Sequence, residues 1–121
     1  MAWSEADAVA YVHHHIDTWN SHDLDRIVGL YAEDAELLSP LAASVTGSET
    51  VRGHAELRGY FQRALVVYPD LKFEIVDILR GVEGVTIYMR GAGGALVAEV
   101  LVINADRRVQ RVLAHYSCAS P

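Results

Sequence analysis

Two ionisable side chains lie where the apolar pattern predicts burial, and both are suited to proton transfer. His15 falls between Val12 and Trp19 at helical spacing, so we expect it on the buried face of a helix. Glu99 interrupts the apolar run from Leu96 to Ile103, which is typical of a buried strand. A histidine can act as a general acid or base near neutral pH, and a buried carboxylate is costly unless it is paired.

Each of these residues also has a structural interpretation. His15 could be a core histidine whose nitrogens bond backbone carbonyls, and Glu99 could face solvent or a dimer partner if the other strand face is buried. If both point inward, we expect them in one cavity, within a direct or water-bridged hydrogen bond of each other. His15→Phe and Glu99→Gln would then each lower activity or ligand affinity at least ~10-fold.

The hydrophobic pattern also predicts the elements that carry these residues. Helices are expected over about 4–20, 23–32 and from Gly53 to Pro69, with a short strand at 35–39 after the second helix. Strands are expected from 71 onward and at 85–90, 95–104 and 109–118, and Asp77 is a possible bulge. Residues 41–50 are rich in small side chains and are predicted to form a hairpin or a mobile flap.

This order of elements predicts an α+β fold with one domain over residues 1–121. We expect a cone-shaped α+β barrel, in which three N-terminal helices pack on a strongly curved, mostly antiparallel sheet. The mouth of such a cone can hold a small molecule.

Composition excludes several classes of function. The net charge of −6, without a cluster of basic residues, argues against a nucleic-acid partner. No apolar run reaches the ~20 residues of a membrane helix, and no signal peptide is recognisable, so we expect no membrane partner. The single cysteine, Cys118, favours a cytoplasmic location. No metal is expected, because His13 and His14 point about 100° apart on a helix and no H-E-x-x-H motif occurs.

Two motifs, W-N-x-H-D at Trp19–Asp23 and Y-A-E-D-A at Tyr31–Ala35, together with the order of elements, resemble the nuclear transport factor 2-like superfamily. This superfamily includes ketosteroid isomerases and SnoaL-like polyketide cyclases. A gapless superposition of the Y-A-x-D-A segments on the isomerases implies that His15 occupies the position of their oxyanion-binding tyrosine. It also implies that Ser39 replaces their catalytic aspartate and that Glu99 corresponds to their second oxyanion donor. Because serine cannot accept a proton from a carbon acid, an intact steroid isomerase mechanism is not expected.

The resemblance implies a cofactor-free enzyme that transfers a proton on an apolar carbonyl or polyketide-like substrate, by isomerisation, cyclisation or dehydration. Two alternatives remain open: a non-catalytic small-molecule binding protein and an interaction subunit. His15 and Glu99 are the predicted catalytic residues. The predicted binding residues for a small apolar or aromatic ligand are Trp19, Tyr31, Leu37, Ser39, Tyr60, Phe61, Phe73, Met89, Leu101 and Tyr116.

A homodimer is also expected. Leu38, Leu113 and His115 are inferred to point away from the cavity, where they would leave apolar surface on the outer face of the sheet. Homodimers of the family that the chain resembles commonly pair through this face.

Overall fold

The computed structural model describes residues 2–118, within which four helices and six strands form one α+β unit. The helices are α1 (Glu5–Asn20), α2 (Leu24–Val28), α3 (Pro40–Thr46) and α4 (Gly53–Val67). The strands are β1 (Tyr31–Leu38), β2 (Thr50–Arg52), β3 (Glu74–Arg80), β4 (Gly84–Arg90), β5 (Leu96–Ile103) and β6 (Val109–Tyr116). A short 3-10 turn, Ala92–Gly94, connects β4 to β5.

The six strands form one sheet in the order β2-β1-β6-β5-β4-β3. Strands β1 and β6 run parallel, and every other neighbouring pair is antiparallel. The sheet curves strongly but does not close, because β2 and β3 lie at its opposite edges. A register shift between Ile75 and Asp77 places the bulge where the sequence suggested it, and bulges bend a strand. The predicted fold class is therefore confirmed.

The first helix matches its prediction and the second is shorter. Ser4 caps α1 by accepting a hydrogen bond from the Asp7 backbone N–H. Helix α2 was predicted to continue to residue 32, which is wrong, because it ends at Val28 and β1 already begins at Tyr31. Tyr31 is therefore the first residue of β1 rather than part of a helix.

The segment predicted as a hairpin or flap is instead a helix followed by a short strand. Ser39 caps α3 and Pro40 occupies its first turn, where a missing backbone N–H costs nothing. Gly47 ends the helix with a φ of 83°, a left-handed conformation that favours glycine. Strand β2 then pairs with β1, so that α3 lies beside the end of β1.

The hydrophobic core lies between the helices and the concave face of the sheet. It includes Val12 and Ile16 from α1, and Leu57 and Phe61 from α4. Alternation along β5 turns Val97, Glu99, Leu101 and Ile103 toward these helices. None of the helices within residues 2–118 is long and apolar enough to cross a membrane.

Candidate functional site

A cavity of about 320 Å³ lies between the concave sheet face and helices α1, α3 and α4. It is lined mainly by apolar and aromatic side chains, with a few hydroxyl groups and one carboxyl group. Its lining residues are Trp19, Tyr31, Leu37, Ser39, Leu41, Ser44, Val45, Tyr60, Phe61, Ala64, Val67, Tyr68, Leu71, Phe73, Gly91, Ala92, Val97, Glu99, Ala114 and Tyr116. A mostly apolar cavity of this size with a few convergent polar groups is characteristic of a small-molecule site.

Glu99 is the acidic residue of this cavity. Strand β5 places it between Ile87 of β4 and Ala114 of β6, both of which are buried. No hydrogen bond or ion pair joins the Glu99 carboxyl group to any residue within 2–118. Because burial penalises the carboxylate, it raises the pKa of Glu99 to about 7. The group can therefore accept and release a proton near neutral pH.

Four tyrosines line the cavity with Glu99, and the charge of Glu99 acts on the pKa of three of them. Burial raises the pKa of Tyr31, Tyr60 and Tyr116, and the nearby charge of Glu99 raises it further, to about 12 in the case of Tyr116. The Ser39 hydroxyl lowers the pKa of Tyr60 and Tyr116 and so offsets part of this rise. These hydroxyls are therefore protonated at neutral pH and available as hydrogen-bond donors.

Tyr31 is held in place by its neighbours. The indole Nε1–H of Trp19 donates a hydrogen bond to the Tyr31 hydroxyl oxygen at 3.0 Å. The backbone carbonyl of Tyr31 is 2.8 Å from Nε2 of His54, which is partly buried. Since the Tyr31 oxygen already accepts from Trp19, its own proton remains available for a ligand in the cavity.

Aromatic rings form a continuous wall of the cavity. The rings of Trp19 and Phe61 meet edge to face at 4.8 Å between centroids, and those of Trp19 and Phe73 do so at 5.5 Å. The ring centroid of Phe61 lies 5.1 Å from that of Tyr31 and 5.9 Å from that of Tyr60. These contacts fix the ring orientations, so the wall is preformed.

His15 does not belong to this cavity, and its predicted placement there is wrong. Its ring lies behind Tyr31, between Tyr11 and Tyr31, at 6.1 and 6.0 Å between ring centroids. The side chain is 1% exposed, and neither ring nitrogen has a hydrogen-bond partner. Burial lowers the pKa of His15 to about 3, with a smaller effect from His14. His15 is therefore a neutral core residue at physiological pH.

Eight of the ten predicted binding residues line the cavity, and Met89 and Leu101 do not. Both are 1% exposed and point to the concave side, but they are packed within the hydrophobic core rather than at the cavity. Strand alternation correctly predicted their direction. It could not predict how far along each strand the cavity extends.

Three groups of lining residues were not predicted from the sequence. Leu41, Ser44 and Val45 belong to α3, which the sequence analysis did not recognise as a helix. Proline after a capping serine, followed by glycine seven residues later, was the available signal. The second group lies near the end of α4, in the connection from α4 to β3 and in the connection from β4 to β5, and comprises Ala64, Val67, Tyr68, Leu71, Gly91 and Ala92. The third group is Val97 of β5 and Ala114 of β6.

Among the described residues, no group of three or more His, Cys, Asp or Glu side chains is arranged to hold a metal ion. The polar side chains of the described cavity wall are its hydroxyl groups and the carboxyl group of Glu99.

Comparison with known proteins identifies the family. The family model of the SnoaL-like domain matches residues 12–118. A SnoaL-like protein of unknown function from Burkholderia thailandensis has a solved structure that is 39% identical, with a TM-score of 0.91. The alignment covers 97% of this chain and 99% of that one. No curated protein matches the chain.

Two more distant structures share the fold. The epoxide hydrolase/cyclase-like enzyme SalBIII, with a role in pyran ring formation in the polyether salinomycin, is 18% identical, with a TM-score of 0.73 and coverage of 95% and 94%. A protein from Kribbella flavida, provisionally named a ketosteroid isomerase, is 22% identical, with a TM-score of 0.67 and coverage of 93% and 78%. The family match over residues 12–118 and the 39% identical relative show that this chain belongs to the SnoaL-like domain family.

Proposed function

We propose that the protein is a cofactor-free enzyme that transfers a proton on a small, largely apolar carbonyl compound bound in the cavity. The observation that carries this proposal is Glu99, an unpaired carboxyl group in an aromatic cavity, with a pKa near neutral pH. A general base is most effective when its pKa lies close to the working pH. The more distant structural neighbours named as an isomerase and as a cyclase-like enzyme support the same class.

A single carboxyl group is sufficient for an isomerisation. In the proposed reaction the Glu99 carboxylate removes a proton from the carbon next to the ligand carbonyl, and the electron pair moves onto the carbonyl oxygen. A tyrosine hydroxyl, most directly that of Tyr31, donates a hydrogen bond to the developing enolate oxygen. In a β,γ-unsaturated ligand the protonated Glu99 then returns its proton to the γ carbon of the dienolate. The electron pair moves back from oxygen, the carbon–carbon double bond shifts into conjugation with the restored carbonyl, and Glu99 is again a carboxylate.

The position of Ser39 changes the roles that the isomerase comparison implied. Ser39 cannot act as the base, so that role passes to Glu99 in this proposal. The Ser39 hydroxyl stays beside Tyr60 and Tyr116, where it orients donors. His15 takes no part, because it lies outside the cavity.

Hydrogen–deuterium exchange tests the proposal without knowledge of the natural substrate. We expect the protein to accelerate the exchange of the carbon-bound protons next to the carbonyl of 1-indanone, followed by NMR in deuterated buffer. Glu99→Gln should lower this exchange at least ~10-fold. Glu83→Gln is the matched control, since it removes the same charge from an exposed turn. The wild-type rate should rise with pH and level off above about pH 7, because the carboxylate is the active form.

The alternative is a non-catalytic small-molecule binding protein. It is favoured by the replacement of the isomerase base by Ser39 and by the presence of a single carboxyl group in the described cavity wall. Titration calorimetry with 1-indanone separates the two functions. Binding with no exchange above the Glu99→Gln background would refute the enzyme and support the binding protein.

A further inference from the structure

We infer that the cavity also accepts a lipophilic organic cation, an amine with an apolar body, for which Glu99 is the counter-ion. This inference rests on the proposed use of the cavity as a small-molecule site. It adds a second class of ligand to the carbonyl compounds considered above. An amine paired with Glu99 would occupy the proposed base and would therefore inhibit proton transfer.

The charges of the cavity wall provide the first argument. Among its described lining residues Glu99 is the only acidic residue, and none is a lysine, arginine or histidine. The exposed ion pairs of the protein, such as Arg52 with Glu36 and Arg58 with Asp25, lie on residues outside the cavity wall. A negatively charged ligand would meet an uncompensated carboxyl group, whereas an ammonium group would neutralise it.

The unpaired state of Glu99 provides the second argument. A buried carboxylate without a partner loses its hydration and gains no compensating contact. The N–H groups of an ammonium ion supply both an opposite charge and hydrogen-bond donors, and charge-assisted hydrogen bonds are stronger than neutral ones. A neutral ligand supplies hydrogen bonds alone. The carboxyl group therefore discriminates in favour of a cation.

The aromatic wall provides the third argument. Trp19, Tyr31, Tyr60, Phe61 and Phe73 form a cluster whose members line the same cavity. Aromatic faces attract a cation, and they bind the apolar part of an amine as well. The combination of several rings with one carboxylate is the arrangement that recognises organic ammonium groups. An apolar cavity for neutral ligands needs the rings but not the charge.

The groups around Glu99 also define the expected pH dependence. It is faced by Tyr31 from β1, Tyr60 from α4 and Tyr116 from β6, and all three tyrosines stay un-ionised below pH 8. Tyr68, the residue after α4, also lines the cavity and is a neighbour of Tyr60 and Tyr116. His15 of α1 lies behind Tyr31 and stays neutral above about pH 3. Between pH 5 and 8 the ionisation of Glu99 alone should therefore govern the affinity for a cation.

Three matched probes test the inference: 2-phenylethylamine as the cation, 2-phenylethanol as the neutral isostere and phenylacetate as the anion. Titration calorimetry at pH 8 should show the amine binding at least ~10-fold more tightly than the alcohol, and the anion more weakly than both. If only the Glu99 carboxylate form binds the amine, its affinity should be about 90-fold weaker at pH 5 than at pH 8. The affinity for the alcohol should change little.

Glu99→Gln should abolish the preference for the amine and retain binding of the alcohol, whereas Glu83→Gln should bind all three probes as the wild type does. Equal affinities for amine and alcohol in the wild type, or an amine affinity independent of pH, would overturn the inference and leave the proposed carbonyl chemistry intact. If none of the probes binds, and 1-indanone does not bind either, both proposals fail. The wild-type pH profile keeps the test valid even if a variant folds poorly.

Discussion

Replacing His15 with phenylalanine should make the protein markedly less sensitive to acid. In the folded chain the imidazole is almost fully buried, both ring nitrogens lack partners, and its pKa lies at about 3. In the unfolded chain a histidine titrates near its ordinary pKa of about 6.5. Between these two values the unfolded state binds one more proton than the folded state, so the free energy of unfolding falls as the pH falls.

The size of this effect follows from the two pKa values of His15. Each pH unit between them is worth about 1.4 kcal/mol, and the contribution is fully present above about pH 6.5. From pH 7 down to pH 4 the wild type should therefore lose about 3 kcal/mol through this one residue. Phenylalanine has no proton to gain, so His15→Phe should escape this loss.

Urea unfolding at pH 7, 5.5 and 4, followed by circular dichroism, measures the effect. The quantity to compare is the difference in free energy of unfolding between variant and wild type, because the contribution of Glu99 is common to both and cancels. His13→Phe is the control, since His13 lies exposed on the same helix and should show no such trend. A His15→Phe difference that is the same at pH 7 and pH 4 would refute the account of His15 as an unpartnered, neutral core residue.

Two further predictions concern the cavity and the outer sheet face. Trp19→Phe removes the hydrogen bond from Trp19 to the Tyr31 hydroxyl. At saturating 1-indanone it should slow proton exchange several-fold and change the affinity for 1-indanone little. If this hydrogen bond has only a structural role, the exchange rate of the bound ligand will be unchanged. In light scattering at micromolar concentration, the predicted homodimer should give twice the chain mass of 13.3 kDa. Leu113→Asp should halve the measured mass, since Leu113 lies beside Leu38 on the outer face. A wild-type mass of one chain would contradict the dimer.

The sequence predicted the fold and nearly half of the cavity wall because both depend on periodicity. Alternation in β5 placed Glu99 on the inner face, and the cost of a buried carboxylate marked it as unusual. The resemblance to ketosteroid isomerases directed attention to Ser39, which also lines the cavity. Tyr31 was assigned to the wrong element, yet it was correctly expected at the cavity.

The error with His15 has a physical cause. Residues on one helix face share a direction but lie at different heights along the helix, 1.5 Å per residue. Trp19 is four residues further along α1 than His15, and it reaches the cavity while His15 stays behind Tyr31. Helical periodicity predicts which side chains are buried, and the position of the opposing strand decides whether they meet a cavity or the core. Strand alternation has a similar limit: it indicates that Met89 and Leu101 face the interior, but not whether they meet the cavity or the core.

Because His15 lies outside the cavity, the cavity can support fewer of the proposed reactions. A dehydration needs an acid to protonate the leaving hydroxyl while a base removes a proton elsewhere, and a cavity with two titrating groups could supply both. With Glu99 as the base, the remaining acids are tyrosines, and the pKa of Tyr116 is about 12, too high for efficient proton donation at neutral pH. Isomerisation needs one group that removes a proton and then returns it, assisted by neutral donors. The arrangement of Glu99 among tyrosine hydroxyls therefore favours isomerisation over dehydration within the proposed class.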